Sequence, residues 1–364
     1  MLAIIAPGQG SQTPGMFLPW LADETSKNLL AKWSLHIDLD LVRLGSTASA
    51  DEIRDTANAQ PLIVAAGLIG FEKLGLAKFA SAAGHSVGEL TAAAISGVIS
   101  PVHALEFVRQ RGIAMAKAAS ESETGMSAVL GGDRDEVLKT LNNFGLTPAN
   151  DNGAGQIVAA GALDALEKLN ENPPFGARVR ALAVAGAFHT SVMQPAVAQV
   201  ANFVPKLSIS NPKVALLSNK DGATVSTGED AIDRIVTQVA NPVRWDLCMV
   251  SFRELGITGV IELPPAGTLV GLLKRAEPNI ETFALKNPED LPAAAPRQPG
   301  LAREGPGDVQ GEILRQNAVS DGQGRPLPHQ PEVRPGEFGP RRPDDPALPR
   351  FRECHQVPVE ASQG

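Results

Sequence analysis

Cysteine is nearly absent. The 364-residue chain has two, Cys248 and Cys354, far apart and with no neighbours at metal-ligand spacing. This excludes a disulfide framework and a thiolate zinc site, and it fits a reducing compartment. Long apolar runs are missing as well. No stretch approaches the roughly 18 residues needed to cross a membrane. The opening MLAIIAPGQG has no basic region and reaches proline at position 7, so no secretory signal is read there. A cytoplasmic protein with no membrane partner is expected. Basic residues are outnumbered, 32 Lys and Arg against 40 Asp and Glu, for a net charge of −8. Such a chain is poorly suited to phosphate backbones, so no nucleic-acid partner is expected. Gly8 and Gly10 are followed by Thr13 where a dinucleotide fingerprint needs a third glycine, and no phosphate-loop lysine is found. Internal repeats are also lacking.

What is present is a chain long enough for two domains or one large one, with 43% hydrophobic residues to build a core. LAIIA at 2–6 reads as a buried strand ending in the loop PGQGSQ. Amphipathic helical patterns run to about residue 76. KFASAAG then reads as a strand entering GHSVGEL, and LTAAAISGVI as a helix. Ser100-Pro101 is an N-cap followed by proline at the first helical position, opening a further helix over VHALEFVRQRGIAMAKAA. Strands alternating with helices predict a parallel α/β sheet.

From residue 124 the order changes to strand (126–132), helix (133–145), two strands (LTPAND, QIVAAG), helix (ALDALEKLNEN) and strand (RVRALAVA). That β-α-β-β-α-β order is the ferredoxin-like arrangement. The expected organisation is a large subdomain from 1–123 and 194–290, with a small ferredoxin-like subdomain inserted at 124–193. VALLSN, the Asp221-Gly222 turn and the strand GVIEL resume the larger part. Residues 291–364 hold 13 of the 29 prolines with many Arg and Gly and little hydrophobic periodicity. This composition predicts a disordered tail, natural or read out of frame.

Ser86 sits in G-H-S-V-G between a predicted strand and helix, the pattern of a nucleophile elbow. Gly84 and Gly88 let strand and helix approach closely. The helix N-terminus and the backbone N–H of Val87 then face a developing oxyanion. An idle serine in a glycine-rich turn is the plain alternative. A serine hydroxyl also needs a base. Of six histidines, His85 adjoins the serine and should point away from it in a sharp turn. His36 and His103 fall in helical patterns, and His329 and His355 in the tail. His189, in GAFH, lies where the insertion returns to the larger part, a common place for a cleft.

Six motifs stand in one order: PGQGSQ (7–12), QP (60–61), GHSVGE (84–89), RG (111–112), GAFH (186–189) and NPVRW (241–245). Each is weak alone, and together they are specific. On them, residues 1–290 resemble the malonyl-CoA:acyl carrier protein transacylases, which load extender units for fatty acid synthesis. The resemblance implies an α/β-hydrolase-like core with a ferredoxin-like insertion, in agreement with the pattern above. It implies Ser86 as the nucleophile that carries malonate as an ester and His189 as its base. It implies the backbone N–H of Gln9 as the partner of Val87 in the oxyanion hole, and Arg111 as the holder of the malonate carboxylate. Helical periodicity does not single out Arg111, and Arg109 reads as a solvated arginine. Asn150 and Asn152 match a loop near the family's site, although turn-capping asparagines look the same.

The resemblance further implies malonyl-CoA and a holo acyl carrier protein as partners, with no cofactor, no metal and a monomeric enzyme. Lys117 and Arg180 are candidates for a local basic patch facing the carrier. In the family, backbone carbonyls and polar side chains near the NPVxW segment orient the histidine. Many members have glutamine where this chain has Arg244, which leaves that side chain's role open. Phe188 before the histidine implies a preference for malonyl over the bulkier methylmalonyl group. The alternatives are a serine hydrolase or thioesterase on a similar core, or a non-catalytic carrier-binding module.

Overall fold

In the computed structural model, residues 1–294 are described; the expected tail, and the choice between its natural and out-of-frame origins, falls almost wholly outside them. Along the chain, β1 (Leu2–Ala6) and β2 (Ser81–Gly84) come first. They are followed by β3 (Thr124–Gly131), β4 (Thr147–Asp151), β5 (Gln156–Ala162) and β6 (Ala177–Ala181). The remaining strands are β7 (Ala215–Leu217), β8 (Thr224–Val225), β9 (Val243–Arg244), β10 (Gly259–Glu262) and β11 (Glu281–Ala284). They form two sheets, in the orders β11-β10-β1-β2-β7-β8 and β6-β3-β5-β4-β9. The architecture is mixed α/β.

The first sheet is parallel from β11 to β7, and only β8 runs antiparallel. Both of its faces are covered. Leu2 and Ile4 of β1 point into one core and Ala3 and Ile5 into the other. This is why LAIIA is apolar at every position instead of alternating. Helices Thr56–Leu74, Gly88–Ile95 and Pro101–Ser120 supply one side, and Trp245–Glu254 and Thr268–Ala276 the other. The turn after β10 is structural: the Glu262 carboxylate accepts the backbone N–H groups of Gly267, Leu269 and Val270 where the next helix starts.

In the second sheet, β3 pairs antiparallel with β5 and β6, and β5 with β4. Helices Arg134–Asn143 and Leu163–Glu171 cover one face through Val137, Leu141, Leu166 and Leu169. On the other face, Met126, Val158 and Ala160 join the larger core. The fifth strand, β9, adds parallel to β4 from the segment NPVRW. The two sheets therefore share one body.

Three local expectations shift. The helix expected over 90–99 runs Gly88–Ile95, because Gly97 at φ 84° turns the chain and sends Val98 and Ile99 into the core. The strand expected over 178–185 ends at Ala181. Residues 291–294 form a short helical turn past the expected start of the tail, with Ala294 buried and Leu291 against the core.

Candidate active site

Ser86 follows the carboxyl end of β2, inside the parallel sheet, where open α/β sheets place their ligands. Its φ of 53° is a strained left-handed conformation for a residue with a side chain. Close packing maintains it. A Cβ on Gly84 would lie 1.9 Å from the Gly88 carbonyl carbon, and one on Gly88 would lie 2.3 Å from the Ala6 carbonyl oxygen. Asn219, just beyond β7, fastens the turn from outside: its Oδ1 accepts the Ser86 N–H at 2.7 Å and its Nδ2 donates to the Gly84 carbonyl at 2.7 Å.

His189 lies on a second strained turn, at φ 61°. Thr190 Oγ1 donates to the Ala187 carbonyl at 2.7 Å, and the Ala187 N–H donates to Thr124 Oγ1 at 3.1 Å, pinning that turn. The ring bridges two groups, with Nε2 2.7 Å from Ser86 Oγ and Nδ1 2.8 Å from the Gln238 carbonyl oxygen. A carbonyl can only accept, so Nδ1 carries the proton and Nε2 presents its lone pair to the serine hydroxyl. Burial, with the Arg111 charge nearby, lowers the His189 pKa to about 3 and keeps the ring neutral. A neutral imidazole in this tautomer can take the hydroxyl proton.

Arg111 is 1% exposed. It reaches the site from the helix Pro101–Ser120, whose start is capped by Ser100 as expected. Its Nη1 donates to Gln60 Oε1 at 2.7 Å, and its Nη2 to Gln238 Oε1 at 2.9 Å, with Ser86 Oγ at 3.4 Å. Burial lowers its pKa to about 10, so it stays cationic at neutral pH. None of these partners bears a full negative charge. A buried cation held only by amides and a hydroxyl stands ready for an anion.

Val87 opens the helix Gly88–Ile95, and its N–H makes no hydrogen bond among the described residues; the same holds for the N–H of Gln9. The Gln9 side chain does not enter the site. Its Nε2 donates to Thr56 Oγ1 at 3.1 Å and ties down the PGQGSQ loop. That loop is packed so closely on the elbow that a Cβ on Gly8 would lie 2.7 Å from His85 Nδ1. The His85 ring is turned from Ser86 toward Asn152, with Nε2 at 2.8 Å from Asn152 Oδ1, and packs edge-on against Trp245 at 5.9 Å. Asn152 thus contacts the serine's neighbour rather than the serine. Phe188 is buried beside the histidine.

One arginine departs from expectation, and the partner of a second, left open by the sequence, is seen. Arg109 is half-buried rather than solvated, because its Nη1 donates to the Ala57 carbonyl at 2.9 Å. Arg244 pairs with Asp246 at 2.7 Å, and the Gln238 backbone carbonyl orients His189. Gln238 and Asn219 carry site contacts that sequence reasoning missed. Asn219 is a polar residue at the end of VALLSN, and Gln238 closes the helix Gly228–Gln238 three positions before NPVRW. Gln60 and Glu89 stand inside the motifs QP and GHSVGE, whose sequence assigns a role to neither. Glu89 is buried, which pushes its carboxyl up to about 8, against the Asn219 N–H and Arg111, which both favour its charge.

A profile of the acyl transferase domain family matches residues 4–287. The chain belongs to this family. It is 52% identical to the Mycobacterium tuberculosis malonyl CoA-acyl carrier protein transacylase over 296 residues, 80% of this chain and 98% of that protein. The crystal structure of MCAT from the same organism superposes with a TM-score of 0.79, covering 81% of this chain and 99% of that one. A malonyl-transacylase solved in complex with a type II polyketide-synthase acyl-carrier protein superposes at 0.77, with 27% identity over 82% of this chain and 99% of that one. Like its relatives, this acyl transferase is an enzyme. Among its described residues, no helix is long and apolar enough to cross a membrane.

Proposed function

We propose that this acyl transferase moves malonate from malonyl-CoA to the phosphopantetheine thiol of an acyl carrier protein through a malonyl ester on Ser86. Arg111 carries this reading: a buried guanidinium beside the serine, with only uncharged partners, suits an acyl group that ends in a carboxylate. A hydrolase of neutral esters has no use for it.

In the first half-reaction, Arg111 holds the free carboxylate and His189 Nε2 takes the Ser86 proton as Oγ attacks the thioester carbonyl. The N–H groups of Gln9 and Val87 receive the oxyanion. As the carbon–sulfur bond breaks, the imidazolium returns its proton to the leaving CoA sulfur. In the second half, His189 takes the proton of the carrier thiol, the sulfur attacks the ester, and Ser86 leaves with that proton. Each half balances without a metal or cofactor. Phe188, beside His189, limits room at C2 and favours malonyl over methylmalonyl. Asn152 acts through His85, steadying the elbow and the Gln9 loop. Lys117 and Arg180, both exposed and free of ion pairs among the described residues, suit an acidic carrier.

The fold reading refines with the function. The parallel sheet with its elbow after β2 supports an α/β-hydrolase-like core. The order β6-β3-β5-β4, fourth-first-third-second within the insertion, supports a ferredoxin-like subdomain at 124–193 within a large subdomain at 1–123 and 194–290.

Intact-protein mass after brief exposure to malonyl-CoA tests the proposal. A malonyl adduct is expected on the parent and absent from Ser86→Ala. Holo carrier protein, and not water, should remove it. An adduct lost rapidly to water would favour a hydrolase, and no adduct on the parent would overturn the enzyme reading.

A further inference from the structure

Glu89 lies in the first turn of the helix that follows the elbow, three residues after Ser86, and is buried. It touches neither Ser86 Oγ nor His189. Its Oε1 accepts the Asn219 N–H at 2.6 Å, and its Oε2 accepts from Gln238 Nε2. Both residues it grips are already at work in the site. Asn219 binds the Ser86 N–H and the Gly84 carbonyl. Gln238 binds Arg111 through its side-chain oxygen and His189 through its main-chain oxygen. Its Nε2 also reaches Asn219 Oδ1 at 3.0 Å, which closes the ring of contacts.

The Gln238 amide has one workable orientation here. Its oxygen must face the Arg111 guanidinium, which only donates, so its NH2 must face Glu89 and Asn219 Oδ1. In its ionised form, which the Asn219 N–H and the Arg111 charge favour against burial, the Glu89 carboxylate offers an acceptor to each of two donors and so selects that orientation. We propose that Glu89 is a positioning residue for the acyl transfer: through Gln238 and Asn219 it holds the Arg111 guanidinium, the His189 ring and the Ser86 turn in a single register. The inference rests on the malonyl-transfer reading above. It makes choice of a carboxylate-bearing acyl group depend on a residue that never meets the substrate. A carboxamide at position 89 has the same shape and puts an NH2 against one of its two donors. The Gln238 amide then either meets that NH2 with its own or turns its oxygen to it and its NH2 to Arg111, and in both cases a hydrogen bond is lost.

The test compares malonyl-CoA with acetyl-CoA as donors for Ser86 loading, as relative kcat/KM, in the parent, Glu89→Gln, Gln238→Met and the double variant. Melting temperatures are measured on each. The malonyl-over-acetyl preference should fall about tenfold in Glu89→Gln, the scale of one lost hydrogen bond to a charged group. Gln238→Met should reproduce the loss, and the double variant should be no worse than the poorer single one, because both act through one contact. A merely structural Glu89 would lower the melting temperature and leave the preference alone, and that result in a folded Glu89→Gln overturns the inference. If Glu89→Gln does not fold, a parental preference in Gln238→Met overturns it equally, and a lost preference there supports it. A parent that loads no malonyl group would overturn the function and this inference together. A parent that loads malonate beside an unaltered Glu89→Gln overturns the inference alone.

Discussion

At the scale of single residues, the site is governed by what burial does to charge. His189 is desolvated and lies near Arg111, so its neutral form persists down to a pKa of about 3. The base must be neutral to accept the serine proton, and it loses that form only as pH falls through its own pKa. The initial rate of malonyl loading on Ser86, followed by intact mass, should therefore stay level between pH 7 and pH 5. An acid limb with an apparent pKa between 6 and 7 would contradict this. Phe188 sets a second expectation. Phe188→Ser opens space beside His189, and the ratio of kcat/KM for methylmalonyl-CoA over malonyl-CoA should rise. One methyl group is worth about 1–3 kcal/mol of discrimination. An unchanged ratio would show that the preference lies elsewhere.

At the scale of elements, the site depends on how closely β2, its turn and the following helix pack. The left-handed Ser86 is held where Gly84 and Gly88 pack closely on backbone, with Asn219 bonding from beyond β7. Gly84→Ala would push a methyl group to 1.9 Å from the Gly88 carbonyl carbon, so strand and helix must part. Overpacking of this kind costs about 1–3 kcal/mol or more. Thermal melting should report a lowered midpoint, and Ser86 loading at temperatures where the variant is still folded should fall further than the melting shift alone accounts for. Parental loading in a folded Gly84→Ala protein would mean that the elbow tolerates the separation.

At the scale of the molecule, two sheets share one body, and β9 of the NPVRW segment stitches the second sheet to the chain that carries Gln238. The acyl transferase match ends at residue 287, and 98% of the tuberculosis relative is covered by 80% of this chain. Ala294 is buried, and Leu291 packs on the core. A chain ending at residue 294 should therefore melt with the full-length protein and load malonate at the same rate. One ending at 286 should melt lower, having lost Leu291 and Ala294. A fall in loading on removing residues 295–364 alone would assign that segment a part in the reaction.

Local chemistry was legible in the amino-acid order. The glycines around Ser86, the Ser100-Pro101 cap, the uniformly apolar β1 and the alternation of strand and helix are short-range signals, each resting on a residue's own backbone preference or on its near neighbours. They were enough for the α/β class, for the order of elements in the insertion and for Ser86 as a candidate. His189 emerged by elimination, and Gln9 and Arg111 only through resemblance, because no periodicity distinguishes a buried arginine from a solvated one. Arg109 shows how that distinction fails: two positions away on the same helix, it was read as solvated and is half-buried. The histidine's orienting partner, the Gln238 carbonyl, could not be read from side-chain types, since every residue has such a carbonyl and only the fold aims it. Residues 86, 89, 111, 189, 219 and 238 converge through bonds spanning as many as 152 positions in the chain. The sequence alone determined which groups exist and which short segments they sit on. Tertiary packing decided which of those groups meet, which are stripped of water, and so which can do chemistry.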